Sequence, residues 1–181
     1  MAQPGYKTLA SFMMATVVYD LTVKFCKQFV NSRENSRLVE QMVQAARSGR
    51  QNIAEGYMEK SLKSYIKLVG VAKASQEELL LDFQDFLRQR NLPLFSKDDQ
   101  NVRVFREFRA IWVTENTLNT PNFPNDPTLA ANMLVTFVSL TTFLLDKQLL
   151  SLEEKFKTEG GYSEKLFNAR KDQKRKDGWG H

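Results

Sequence analysis

The sequence predicts an all-α protein: an up-and-down antiparallel four-helix bundle with an extra helical insertion between the third and fourth long helices. Three observations predict it. Apolar residues recur at steps of three and four over most of the 181 residues, the period of a helix with one buried face. The chain holds only 8 glycines and 5 prolines, too few for a turn-rich β fold. No hairpin signal and no strand–helix alternation interrupts the pattern. Short connections between the first helices make them antiparallel neighbours. We place the bundle domain at residues 1–158, with 91–127 as the insertion and its loop, and 159–181 as a basic C-terminal tail.

The first helix reads from about Thr8 to Val30. Phe12, Thr16, Tyr19, Val23, Cys26 and Val30 share its buried face, and Leu9, Met13, Val17 and Leu21 widen that face. The run NSRENS ends the pattern, and Ser36 is placed to cap the second helix, Arg37 to Glu59. Its stripe is Leu38, Met42, Ala45, Gly49, Ile53 and Gly56, with Asn52 beside it and Glu40, Gln44, Arg47 and Gln51 opposite. The stripe starts large and becomes small. A glycine inside a helix costs about 1 kcal/mol against alanine, so Ala45, Gly49, Asn52 and Gly56 read as a side that another helix approaches closely. Asn52 is then a buried or half-buried amide that needs partners, such as a backbone group across that contact, and Glu55 holds an arginine or a helix end.

The third helix starts near Ser61 and carries Tyr65, Val69, Ala72, Gln76, Leu79, Phe83 and Phe86 on one side, until Pro93 ends it. In the insertion, Ser96 reads as a cap, Asp98 and Asp99 suit a first turn, and Val102, Phe105, Phe108 and Trp112 form a stripe. The stretch TLNTPNFPNDP is a break, and its Asp126-Pro127 reads as an N-cap followed by an N1 proline. The last long helix runs to about Lys157, with Leu129, Met133, Phe137, Leu140 and Leu144 inside, and Gly160-Gly161 stop it. The tail forms one short helix carrying Leu166 and Phe167. The apolar stretch Leu134–Leu145 reads as too short to span a membrane.

Reactive groups are scarce. The chain has one cysteine, Cys26, and one histidine, the terminal His181. A zinc site needs three or four ligands, and a Cys–His nucleophile pair would need the far terminus folded back on the first helix. Cys26, on an apolar stripe, reads as a small core residue. Gly49 and Gly56 are not a phosphate loop, since no Gly-Lys-Ser/Thr follows them. Glu55 and Glu59 share a helix face, but no nucleophile or oxyanion donor accompanies them. The expectation is a protein that is not an enzyme, with no metal, no cofactor and no small-molecule substrate. No basic segment followed by an apolar run opens the chain, and a cytoplasmic location is expected.

The formal net charge is +5, and it is uneven. From Ser163 to His181 there are six bases against three acids, which leaves the rest of the chain close to neutral. Lys60, Lys63 and Lys67 are spaced as a ridge, Arg47 and Arg50 lie on the second helix, and Lys174, Arg175 and Lys176 close the tail. Each group reads as a solvated face or as a surface for the phosphates of RNA or DNA, and a ring of subunits would enlarge the second possibility. Exposed aromatics such as Trp112, Phe123 and Trp179 are the contact candidates for a protein-only scaffold.

From Tyr19 to about Leu87 the chain resembles the four-helix-bundle proteins encoded by intervening sequences of bacterial 23S ribosomal RNA genes. The residues that carry the resemblance are NIAEG at Asn52–Gly56, the preceding QMVQAARSGRQ, and the pattern Ala72, Ser75, Glu78 and Leu79 within SYIKLVGVAKASQEEL. YDLTVKF resembles the end of the family's first helix. The segment from Asn91 to Pro127 and the basic tail look like those of a longer subgroup. The resemblance implies an up-down bundle, a ring-like homo-oligomer that is often a pentamer, and kinship with the basic, nucleic-acid-binding accessory protein of diversity-generating retroelements. It implies no enzymatic activity.

Overall fold

The structure is a computed structural model that describes residues 5–30, 33–115 and 123–176, without the side chains of residues 108–115 and 163. Every regular element among the described residues is helical. A single 3-10 turn, Gly5–Thr8, precedes α1 (Ala10–Phe29), α2 (Ser36–Met58), α3 (Leu62–Gln89), α4 (Gln100–Glu115), α5 (Pro127–Glu159) and α6 (Tyr162–Lys176). The all-α prediction therefore holds, and α4 is the inserted helix between the third and fourth long ones.

Four helices close a ring of neighbours. α2 packs against α1 and α3, α5 packs against α3 and α1, and α4 lies on α5 and reaches α1. Side-chain links fix their sense. The Ser11 hydroxyl donates to Gln148 Oε1 at one end of the α1–α5 pair, and Gln28 Nε2 donates to Asn125 Oδ1 at the other. Gln148 Nε2 also donates to the Tyr65 hydroxyl at the start of α3. At the far end, Asn132 Oδ1 accepts from the Phe95 amide, while its Nδ2 donates to the Pro93 and Thr128 carbonyls. α5 thus runs antiparallel to both α1 and α3. Asn132 also ties the extended segment after α3 to the bundle, so the insertion leaves from a fixed point.

The core is aromatic at one end. Phe25 is fully buried, with the rings of Phe83 at 5.1 Å, Phe86 at 4.8 Å and Phe29 at 5.3 Å. A smaller apolar cluster of Ala15, Ile53, Val69, Ala72 and Leu145 fills the other end. Gln76, between Ala72 and Leu79 on α3, lies at the level between the two.

Several local expectations are corrected. The buried face of α1 is centred on Met14, Val18, Leu21 and Phe25, while Phe12, Thr16, Tyr19 and Val23 are only half-buried. Each of the first set lies two residues on from its counterpart in the second, about 200° round the helix, so the two sets stand nearly opposite, while Leu21, Cys26 and Val30 are buried as read. α1 touches both α2 and α5, so it buries more than one stripe, and Phe12 and Tyr19 belong to the α2 flank, where they meet Tyr6 and Arg50. α2 begins at Ser36 itself, after Asn35. α4 begins at Gln100, and the carboxylate of Asp99, not Ser96, caps it by accepting from the Asn101 amide at 2.8 Å. The α5 start is as read: Asp126 Oδ1 accepts from the Leu129 amide, with Pro127 at the first helical position. Its end is as read too, with Gly160 at φ 73°. By length and composition α5 is apolar and long enough to cross a membrane, and most of that stretch is buried against the other helices. α6 runs on to Lys176, longer than the short helix expected. The side chains of Phe108 and Trp112, and the residues Trp179 and His181, lie outside the described residues.

Candidate functional site

The small side of α2 faces α3. Gly49 is buried, and a Cβ built there would collide with the Gln76 amide nitrogen, with Gln76 Cδ at 3.0 Å and Cγ at 3.3 Å. Gly56 is the second close approach. A Cβ there would lie 2.8 Å from the Tyr65 ring and 3.2 Å from Leu68 Cβ. Ala45 is buried on the same side. The two helical glycines therefore serve packing, as their spacing predicts.

Polar groups cross the same seam. The Ser48 and Ser75 hydroxyls share a hydrogen bond of 2.9 Å between α2 and α3. Asn52, half-buried, donates from Nδ2 to the Ser48 carbonyl at 2.9 Å and to Ser48 Oγ at 3.1 Å. Its bonds stay within α2, because the carbonyl one turn back is always within reach of a short polar side chain. The cross-helix link belongs to Ser48. Glu55 is exposed and has no ion-pair partner among the described residues, so the arginine or helix end expected for it is not there.

Gln76 occupies one position of the stripe that the sequence marks on α3. It is fully buried, and neither Nε2 nor Oε1 has a hydrogen-bond partner among the described residues; Thr142 Oγ1 on α5 is in the same state. A buried unpaired polar group costs about 1–3 kcal/mol. An amide, two serines and an asparagine can hold a geometry, but they include no base that would activate a serine hydroxyl.

The remaining reactive groups do not converge on this seam. Cys26 is buried with its Sγ 4.0 Å from Met42 Sδ, and burial, helped by the charge of Asp82, pushes its thiol up to about 12. It is a protonated core residue, not a thiolate. Among the described residues no three of His, Cys, Asp and Glu are placed to hold a metal ion.

The basic candidates are divided. The Arg50 guanidinium sits 4.4 Å from the centroid of the Tyr19 ring. It also faces Asp20, whose carboxyl is raised by burial and lowered in turn by Arg50 and Lys24. Arg50 is thus engaged in the α1–α2 contact. Arg47 is exposed on the outer face of α2. Lys60, Lys63 and Lys67 are exposed along one ridge leading into and up α3, as their spacing predicts. That ridge then turns acidic at Glu77, Glu78 and Asp85, all exposed. Lys73 leaves the ridge to pair with Asp146 of α5 at 2.6 Å. Lys174, Arg175 and Lys176 are exposed in the last turn of α6, where the helix dipole favours cations.

The acidic half of the ridge has a measurable consequence. Asp82 is pushed up from 3.8 to about 6, first by burial and then by Glu78 and Asp85. A carboxyl raised on folding opposes the folded state when it ionises. Its penalty is absent at pH below about 4, grows as pH rises toward 6 and is complete above that. The stability advantage of Asp82→Asn in the isolated subunit is therefore expected to be small at pH 4 and to grow up to pH 7. Urea titrations of both proteins across that range check it, and an advantage that does not change with pH would contradict it.

Residues 7–92 match the family model described as 23S rRNA-intervening sequence protein. The match takes in α1, α2, α3 and the whole α2–α3 seam. No curated protein and no solved structure matches the chain.

Proposed function

The chain belongs, through residues 7–92, to the 23S rRNA-intervening sequence protein family, and from that premise we propose a non-enzymatic, self-associating helical adaptor that contacts nucleic acid. The observation that carries this reading is α6. Its side chains are exposed wherever they are described, and it holds six bases against two acids. Among the described residues only its Lys165 is spent on an ion pair, with Glu159 at 2.7 Å. The charges of α6 are thus left to the solvent or to a polyanion. The ridge of Lys60, Lys63 and Lys67 is a weaker phosphate surface, because its acidic continuation repels the same strand. The self-association, as a ring and often a pentamer, is what the family resemblance implies.

Binding of fluorescent RNA and DNA oligonucleotides, measured against salt, tests the reading. Affinity is expected to fall steeply as salt rises. The triple variant Lys174→Gln, Arg175→Gln, Lys176→Gln is expected to bind more weakly. Its salt slope should be shallower by up to about 3, roughly one for each phosphate no longer neutralised. Absence of binding at low ionic strength would overturn the nucleic-acid part. A protein-only scaffold would then remain, and α6 carries the feature that favours it: Leu166 and Phe167 are 47% and 66% exposed.

A further inference from the structure

The end of the bundle where α2 gives way to α3 is aromatic and basic at once. Tyr57, in the last turn of α2, is 42% exposed, and Met58 beside it is 64% exposed. The Tyr57 ring is held in place. Tyr6 stands 6.4 Å from it at 64°, Tyr65 stands 6.1 Å from it at 79°, and its hydroxyl fills the space that a Cβ on Gly5 would need. Tyr65 is fixed in turn by Gln148. A flat ring is thus set in one orientation with part of its surface open.

Four cations belong to the same end. Lys7 is exposed on the 3-10 turn that carries Tyr6, and Lys60, Lys63 and Lys67 are exposed on the connection and the first turns of α3. None of the four makes an ion pair among the described residues. α3 also opens without a side-chain cap and with no acid in its first turn, so the positive end of its dipole adds to them. Two exposed acids, Glu55 and Glu59, stand against this charge. α5 ends here too, since its Leu152 packs with Leu62 and Tyr65 at the start of α3, and α6 follows from it.

We propose that this end of the bundle binds an unpaired strand of RNA or DNA, with one base stacked on Tyr57 and the neighbouring phosphates on Lys7, Lys60 and Lys63. The proposal rests on the nucleic-acid reading above and names the form of nucleic acid. Every base has a flat face and stacks on an aromatic ring with little regard to sequence. In a duplex those faces are already stacked on one another, so an internal base cannot reach Tyr57. An acidic peptide would satisfy the lysines and leave the ring open. The acidic continuation of α3 at Glu77 and Glu78 keeps the strand at the end from which α6 departs.

Titration of fluorescent oligo-U, oligo-dT and a blunt duplex of the same length with the full chain, at low and rising salt, tests this. The wild type is expected to bind the single strands. Tyr57→Leu keeps an apolar group against Tyr6 and Tyr65 and is expected to weaken single-strand binding by about fivefold or more, with duplex binding unchanged. Tyr57→Phe keeps the ring and is expected to bind as the wild type does. Lys60→Gln with Lys63→Gln changes only exposed side chains, which keeps the test valid if Tyr57→Leu fails to fold. Its salt slope on single strands is expected to be shallower by up to about 1.4, roughly 0.7 for each phosphate no longer neutralised. Single-strand binding unchanged in Tyr57→Leu or in the lysine variant would overturn this site and leave the α6 reading standing. An equal loss on duplex and single strand in Tyr57→Leu, or a loss as large in Tyr57→Phe, would overturn the stacking. A wild type that binds no oligonucleotide at low ionic strength would overturn both this site and the nucleic-acid reading.

Discussion

Replacing Phe25 by alanine is expected to lower the unfolding free energy by about 4 kcal/mol, a fall in Tm of about 8–16 °C for a chain of this size. The ring is fully buried, and the rings of Phe83 and Phe86 stand edge-on to it from α3, at 85° and 73°. Truncation removes the transferred apolar surface and two well-oriented aromatic pairs, each worth about 0.5–1.5 kcal/mol beyond its area. Phe29, one turn further along α1, already packs against Phe25 at 5.3 Å, so filling the gap would mean giving up its own place. Thermal or urea unfolding reads the effect. A decrease below about 1 kcal/mol, close to the range of ordinary surface substitutions, would show that α1 is not held to α3 through this cluster.

Gly49→Leu is expected to be nearly as damaging, at about 3 kcal/mol and a Tm lowered by about 6–12 °C. The added side chain would enter the space taken by Gln76, which is fully buried and packed between the two apolar clusters. Either the amide is expelled from its place or α2 and α3 separate, and the second breaks the Ser48–Ser75 link as well. An unchanged Tm would mean that the small side of α2 is not packed against α3. The circular dichroism spectrum should stay helical in both variants, because the substitutions disturb contacts between helices more than the helices themselves.

The α2 seam is legible in the sequence because glycine inside a strong helical pattern has few explanations, and close packing is the commonest. The same reasoning locates the α5 start at Asp126-Pro127 and its stop at Gly160. Other features depend on which helix lies next to which. A single stripe describes a helix with one neighbour, so it misplaces the face of α1, which α2 and α5 divide between them. Arg50 reads as a phosphate ligand by its charge alone, and the Tyr19 ring against it is visible only in the fold. The tether of Asn132 to Pro93 and Phe95 joins residues far apart in the chain, and no local pattern announces it. Gln76 stands out in the sequence as an amide at a core position of α3, but its relation to Gly49 needs the register of two helices. Asn52 shows the same limit within the seam. Its place beside the small stripe follows from the helical spacing, whereas its half-buried state and its partner, Ser48 on its own helix and the serine that bridges to α3, do not.

Gly49 and the Asn52–Gly56 stretch thus belong to a helix seam built around Gln76, and its polar groups hold geometry without supplying a reactive centre. A double-mutant cycle of Gly49→Ala and Gln76→Ala, measured by urea unfolding, tests that seam at its closest point. In the wild-type background Gly49→Ala is expected to destabilise by about 1–3 kcal/mol, because the new methyl meets the Gln76 side chain. In the Gln76→Ala background that obstacle is gone, and alanine's helical preference should make the same change stabilising by up to about 1 kcal/mol. An equal effect of Gly49→Ala in both backgrounds would mean that Gly49 and Gln76 do not meet, and would contradict the seam.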